Sequence, residues 1–189
     1  MYKGQDDDYA HYKAGTLDIR DYIRFSTQAI RQMGAIKSEA ARLDFMRTVI
    51  EPAIKAQALD LVRMHQSVGD QLVIVTATNE FVTRPIAEAF GVENLIAVEL
   101  ERDVSSSTAG WITGEIKGVP SFREGKVTRI EAWLAARQLC LADVESTFYT
   151  DSINDLSLME NVTHPVATNP DDRLRAIAVD RGWRILDLF

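Results

Sequence analysis

The 189-residue sequence is poor in the residue types that staple a chain or ligate a metal. It has one cysteine, Cys140. That excludes an internal disulfide framework and a cysteine-based zinc site, and it fits a reducing, cytoplasmic setting. Its three histidines, His11, His65 and His164, lie too far apart to suggest a metal cluster and read as helix-face or turn residues. Basic residues are outnumbered, 21 Lys and Arg against 28 Asp and Glu, for a formal net charge of −7. This argues against nucleic acid or an anionic membrane as partner, since both reward clustered cations. No apolar run approaches the roughly 20 residues of a transmembrane helix. The acidic, polar opening stretch does not read as a signal peptide. There are no internal repeats, and the only low-complexity stretch, Ser105-Ser106-Ser107, reads as a loop. What the chain does have is 46% hydrophobic residues, enough for one globular domain with a real core and perhaps a small subdomain.

Residues 1–52 carry helical patterning only. Thr16 stands where a helix N-cap would, ahead of Ile19, Tyr22, Ile23 and Ile30 on one side. After Gly34, Ser38 is placed to cap a second helix bearing Phe45, Met46, Val49 and Ile50, up to Pro52. A third helix is expected from Ala53 to Ser67, stopped by Gly69. Beyond it, strand and helix alternate. Leu72-Val73-Ile74-Val75 is a continuous apolar run ending at Thr76, as in a strand buried on both faces. Ala77 to Glu80 reads as its loop, followed by a helix to Phe90 that Gly91 ends. Leu95 to Leu100 is a second strand. Val98 to Glu101 and Trp111 to Ile116 flank a polar turn and read as a hairpin. Helix is expected at 124–138, strand at 147–149, strand at 165–168, helix at 170–180 and a closing strand at 185–188. The alternation predicts an α/β fold with a parallel sheet.

One stretch concentrates the chemistry: Phe148-Tyr149-Thr150-Asp151-Ser152-Ile153-Asn154-Asp155. A short apolar strand ends on two carboxylates four residues apart, at the rim where parallel sheets collect ligands. Two hard oxygen donors there suit Mg²⁺, which binds through one or two carboxylates plus phosphate and water. Thr76 ends another strand with a hydroxyl, and Lys126 sits in the first turn of a helix. A hydroxyl donor, a cation and a metal-binding pair together make a phosphate site.

The segments Val73-Ile74-Val75-Thr76, Gly125-Lys126 and Tyr149-Thr150-Asp151-Ser152-Ile153-Asn154-Asp155 resemble the second, third and fourth motifs of the haloacid dehalogenase superfamily. The likeness is to its phosphoserine-phosphatase-like branch, which carries a helical cap. It extends over residues 9–189 and includes Ala77-Thr78-Asn79-Glu80-Phe81, Gly110, Gly114, Asn169-Pro170 and Arg181-Gly182-Trp183. The resemblance implies a Rossmann-like sheet with residues 1–52 as a remnant of the cap and 53–189 as the core. It also implies a Mg²⁺-dependent phosphomonoesterase acting on a small phosphorylated metabolite, phosphoserine or histidinol phosphate among the candidates. By it, Thr76 bonds the transferring phosphoryl oxygens and Lys126 neutralises phosphate and nucleophile charge. Asp151 binds Mg²⁺ directly, Asp155 directly or through water, and Thr78 and Asn79 line the phosphate end.

The family's first motif, a hydrophobic strand ending Asp-x-Asp-x-Thr, has no counterpart here. Its first Asp forms the aspartyl-phosphate intermediate and its second is the general acid and base. Asp6-Asp7-Asp8 has no apolar strand before it and reads as a solvated acidic run. The strand that carries the motif lies mid-sheet, between those ending at Thr76 and Asp151. Its lack leaves two strands with unpaired backbone groups, each costing about 1–3 kcal/mol when buried and unsatisfied, and removes the covalent nucleophile. The expectation is an N-terminally shortened enzyme, unstable or inactive alone. A non-catalytic relative that binds phosphate or a partner is the alternative. A phosphoacceptor receiver domain is disfavoured, because its acidic residues precede its Thr and Lys. Cys140, between Leu139 and Leu141, is expected to be a small buried hydrophobe, and Arg123 a solvated charge.

Overall fold

The structure, a computed structural model, describes residues 17–103 and 110–189. Asp6-Asp7-Asp8, Thr16 and Ser105-Ser106-Ser107 fall outside those residues. The chain opens with helix α1 (Ile19–Ser26), whose N-cap is Asp18: its carboxylate accepts from the backbone N–H groups of Arg20 and Asp21. An acidic cap satisfies the orphan donors of the first turn and complements the helix dipole, a stronger arrangement than the hydroxyl expected at Thr16.

Helix α2 spans Gln28–Phe45, kinked at Gly34, where φ is 74° and only glycine is comfortable. Ser38 does not cap a new helix. It is buried, and its hydroxyl donates to the Ile30 carbonyl across the kink, filling the break that the glycine makes. A π-turn (Met46–Ile50) and a helical turn (Glu51–Ala53) lead to α3 (Ala56–Ser67). Pro52 and the extended Ile54 delay α3 by three residues relative to expectation.

Strand β1 (Val73–Asn79) pairs in parallel with β2 (Asn94–Val98) across helix α4 (Glu80–Ala89). β3 (Leu100–Arg102) and β4 (Ile112–Ile116) form the antiparallel hairpin. Helix α5 (Glu124–Ala135) leads to a second parallel sheet of β5 (Thr147–Thr150), β6 (His164–Thr168) and β7 (Arg184–Leu186), with α6 (Asp172–Asp180) between the last two. The α/β architecture is the expected one. β1 runs three residues past Thr76, so the stretch read as loop is strand up to the cap of α4. Among the described residues no helix is long and apolar enough to cross a membrane.

The parallel strands do not form one sheet. β1–β2 and β5–β6–β7 are separate, and among the described residues β1 and β5 each pair on one side only. Each sheet has its own core. Ile23 of α1 packs with Val98, Leu100, Ile112 and Ile116, while Met159, Ala167, Leu174 and Ala178 pack under β5–β7. Val73, Ile74 and Val75 are consequently half-buried rather than buried. Between the unpaired edges lies a cavity of about 680 Å³ that both line, with Val75 and Thr76 on one wall and Phe148, Tyr149 and Thr150 on the other. An opening of that size, with Thr76, Thr150 and Asp151 among its lining, has room for water at the backbone edges. The expense of leaving them unpaired therefore falls on missing apolar cover more than on orphaned hydrogen-bonding groups.

Candidate active site

The cavity gathers most of the residues singled out from the sequence. Thr76, Thr78, Lys126, Asp151 and Asp155 all line it. Asn79 does not. It is buried at the head of α4, where its side-chain oxygen accepts from the Val82 N–H at 3.2 Å, so its side chain serves as a helix cap.

Lys126 and Asp155 form a buried ion pair, Nζ to Oδ1 at 2.5 Å, with side chains 6% and 8% exposed. The lysine comes from the first turn of α5 and the aspartate from the 3₁₀ turn Ile153–Asp155 after β5, so the bond joins segments about thirty residues apart in sequence. The other carboxylate oxygen, Oδ2, accepts from the Thr150 hydroxyl at 2.7 Å. Asp155 thus has both oxygens engaged by protein. Asp151, at the carboxyl end of β5, is exposed to the cavity.

Backbone geometry explains why Lys126 is delivered here. Gly125 admits no side chain: a Cβ would lie 2.0 Å from the Pro120 carbonyl oxygen. Before it, Arg123 holds φ +50°, ψ −123°, a strained conformation for a non-glycine residue of the kind that collects at functional sites. The Arg123 guanidinium lies 4.9 Å from the Phe122 ring centroid. Ser121, fully buried, donates its hydroxyl to the Thr76 carbonyl at 2.6 Å and ties this loop to the end of β1. The Thr76 hydroxyl accepts from the Thr78 N–H at 3.1 Å, which leaves its own proton to donate into the cavity.

A second long-range link to the β5 segment runs through His65 of α3. Its Nδ1 faces Asp70 at 2.6 Å and its Nε2 faces the Tyr149 hydroxyl at 2.8 Å. Burial raises the Tyr149 pKa above its ordinary 10.0, helped by Asp70 and opposed by Arg184. Sequence reasoning missed Ser121, Thr150 and this His65–Tyr149 link, because each is a contact between distant segments. Cys140 is exposed, contrary to expectation. Gln138 turns the chain at φ +62° just past α5, and the Cys140 N–H then donates to the Asp143 carboxylate in an exposed turn.

Among the described residues no three His, Cys, Asp or Glu side chains converge on one point. The metal-competent set is all oxygen, Asp151 and Asp155. That suits Mg²⁺, which keeps several waters and takes the rest of its ligands from phosphate, and does not suit a closed zinc site.

The family model for haloacid dehalogenase-like hydrolases matches residues 1–160, and the chain belongs to that family. It is 37% identical over 180 residues to a histidinol-phosphatase of Neisseria meningitidis, covering 95% of this chain and 79% of the relative. It is 33% identical over 128 residues to a phosphoserine phosphatase of Mycobacterium tuberculosis, covering 68% of this chain and 39% of that longer protein. A solved structure of a Bordetella pertussis protein of unknown function matches 97% of this chain and 81% of its own, with TM-score 0.89 and 46% identity. A phosphoserine phosphatase solved as a phospho-aspartyl intermediate analogue matches at TM-score 0.63 and 15% identity over 97% of this chain and 79% of its own, a likeness of fold.

Proposed function

We propose that the site is that of a Mg²⁺-dependent phosphomonoester hydrolase acting on a small metabolite, with histidinol phosphate and phosphoserine as the substrates suggested by the relatives. The observation that carries this reading is the buried Lys126–Asp155 pair set beside Thr76, Thr78 and Asp151 on one cavity. Lys126 places a cation against the phosphoryl oxygens, and its partner keeps that cation positioned in a buried site. The Thr76 hydroxyl donates to a phosphoryl oxygen. Asp151 would hold the metal directly, while Asp155, already bonded to Lys126 and Thr150, would reach it through water. Bound there, Mg²⁺ supplies charge neutralisation at the transferring phosphoryl group.

Hydrolysis by this route forms a P–O bond to a carboxylate as the ester P–O bond breaks, and water then cleaves the acyl phosphate. The 189 residues contain no Asp-x-Asp-x-Thr to provide that carboxylate. The reading therefore assigns phosphate and metal binding to this chain's residues, and the attack to a carboxylate on a strand laid between β1 and β5. In the same reading, α1 and α2 belong to a cap and the α/β core begins near residue 53.

The test is p-nitrophenyl phosphate hydrolysis, with and without Mg²⁺. It compares the 189-residue chain with the same chain extended at its N-terminus by an apolar strand ending Asp-x-Asp-x-Thr. Turnover is expected only from the extended chain with Mg²⁺, and is expected to vanish in Asp151→Asn. A folded extended chain without Mg²⁺-dependent turnover would sink the proposal. The missing motif favours a second reading, a non-catalytic phosphate binder. Phosphate binding without turnover in either form would support it.

A further inference from the structure

We infer, resting on the phosphatase reading, that Thr150 is a positioning residue for the metal site: its hydroxyl holds the Asp155 carboxylate in place and so sets the spacing of the two acidic groups. Thr150 ends β5 and is 8% exposed. Its Oγ1 accepts from the Ser152 N–H at 3.2 Å, and its own proton is donated to Asp155 Oδ2 at 2.7 Å. The hydroxyl therefore joins the backbone immediately after Asp151 to the side chain of Asp155. The end of β1 is built the same way with a different outcome. There the Thr76 hydroxyl accepts from the Thr78 N–H at 3.1 Å, and its proton is left for the cavity. One turn geometry leaves a donor on the cavity at Thr76 and fastens a carboxylate at Thr150.

The fastening matters because a single contact does not orient a carboxylate. Lys126 Nζ holds Asp155 Oδ1 at 2.5 Å, a bond about which the group can still turn. The Thr150 hydroxyl fixes the second oxygen, so two protein donors together determine the carboxylate plane. With both oxygens engaged, Asp155 is kept at one remove from an ion beside Asp151, and water stands in its place. Mg²⁺ suits that arrangement, since it keeps several waters and uses one or two carboxylates. Ca²⁺ takes about six to eight oxygens in looser geometry, so it benefits when a further carboxylate oxygen is freed. Hydrogen-bond partners of ligating groups govern metal affinity by about 10–100-fold. Thr150 therefore sets both the strength of Mg²⁺ binding and its margin over Ca²⁺. A β-branched residue fits the task, because restricted χ1 keeps the hydroxyl aimed.

Mn²⁺ is the probe: electron paramagnetic resonance counts the free ion in the presence of the folded 189-residue chain, and Mg²⁺ and Ca²⁺ compete for the bound fraction. Only the Mn²⁺ binding that Asp151→Asn abolishes is scored as this site. Thr150→Val keeps the side-chain shape and removes the hydroxyl, whereas Thr150→Ser keeps the hydroxyl. Valine should weaken Mg²⁺ by about tenfold or more and Ca²⁺ by less, and serine should return both to within about threefold of the parent. Inorganic phosphate, titrated calorimetrically without metal, should bind all three chains alike, because Thr76 and the Lys126 bond to Asp155 Oδ1 are untouched. Unchanged Mg²⁺ affinity in the valine variant overturns the inference. So does a valine variant that loses metal and phosphate together without rescue by serine, which marks general damage. If the folded parent binds no Mn²⁺, or Asp151→Asn leaves its binding intact, the metal assignment of the phosphatase reading fails and this inference falls with it. Mn²⁺ binding that needs Asp151 but ignores Thr150 removes the inference alone.

Discussion

Removing one member of the Lys126–Asp155 pair is the perturbation whose magnitude follows most directly from the structure. Both side chains are more than nine-tenths buried and their charged atoms lie 2.5 Å apart. Lys126→Met leaves the Asp155 carboxylate with the Thr150 hydroxyl as its remaining side-chain partner among the described residues, and Asp155→Leu strands the lysine in the same buried site. Breaking a buried pair from one side costs about 3–5 kcal/mol, because an uncompensated charge is left behind. Against a total stability of about 5–15 kcal/mol for a domain, either single change removes a large share. The double change Lys126→Met/Asp155→Leu leaves no buried charge, so it should cost about 3 kcal/mol or less, far below the sum of the singles. Urea unfolding with linear extrapolation measures all four proteins. A neutral osmolyte such as trimethylamine N-oxide can hold the weakest variants folded without offering the site an anion. Single losses below about 1 kcal/mol, adding to the double loss, would show that the pair is hydrated and uncoupled, and would refute the reasoning.

Three further outcomes are expected. Gly125→Ala should destabilise by at least about 2 kcal/mol, although alanine normally stabilises a helix by about 1 kcal/mol relative to glycine, because its Cβ would overlap the Pro120 carbonyl oxygen. A neutral or stabilising result in chemical denaturation would mean that the loop yields. Tyr149 titrates above its ordinary value, so its contribution is complete below pH 10 and is lost as pH rises toward and through the raised value. Melting temperature should fall across that alkaline window, and Tyr149→Phe should flatten the fall; identical alkaline slopes would refute the assignment. With β1 and β5 each paired on one side only, the 189-residue chain should be weakly stable or inactive by itself. A cooperative melt combined with Mg²⁺-dependent turnover would contradict that.

The sequence was most legible where a pattern is local. Val73 to Val75 announces a parallel strand by unbroken apolarity, and the Trp111–Ile116 segment announces a hairpin by alternation. Asp151 and Asp155 stand four apart after a strand, and the fold does bring them to the cavity with Thr76 and Lys126. Legibility ended where partners are remote or compete. Asn79 was given to the phosphate end, yet it directly precedes Glu80 at the start of a helix, and capping takes its side chain. Ser121 finds its acceptor 45 residues away, which no local pattern encodes. Cys140 has apolar neighbours in sequence, but a left-handed Gln138 carries the chain outward and Leu139 is exposed with it. Residue type sets the odds of burial; the turn before it sets the outcome.

Helix α1 is fastened on its other side. Arg24 makes a two-pronged bond to Glu115 of β4, at 2.8 and 3.0 Å, while Ile23 is sunk among Val98, Leu100, Ile112 and Ile116. The residues of α1 that line the cavity and those that grip the hairpin belong to the same two turns of helix. The helix therefore cannot swing aside like a door on its own hinge. Any displacement of α1 would have to carry the hairpin with it, so a substitution in the hairpin can reshape the cavity wall without touching the cavity.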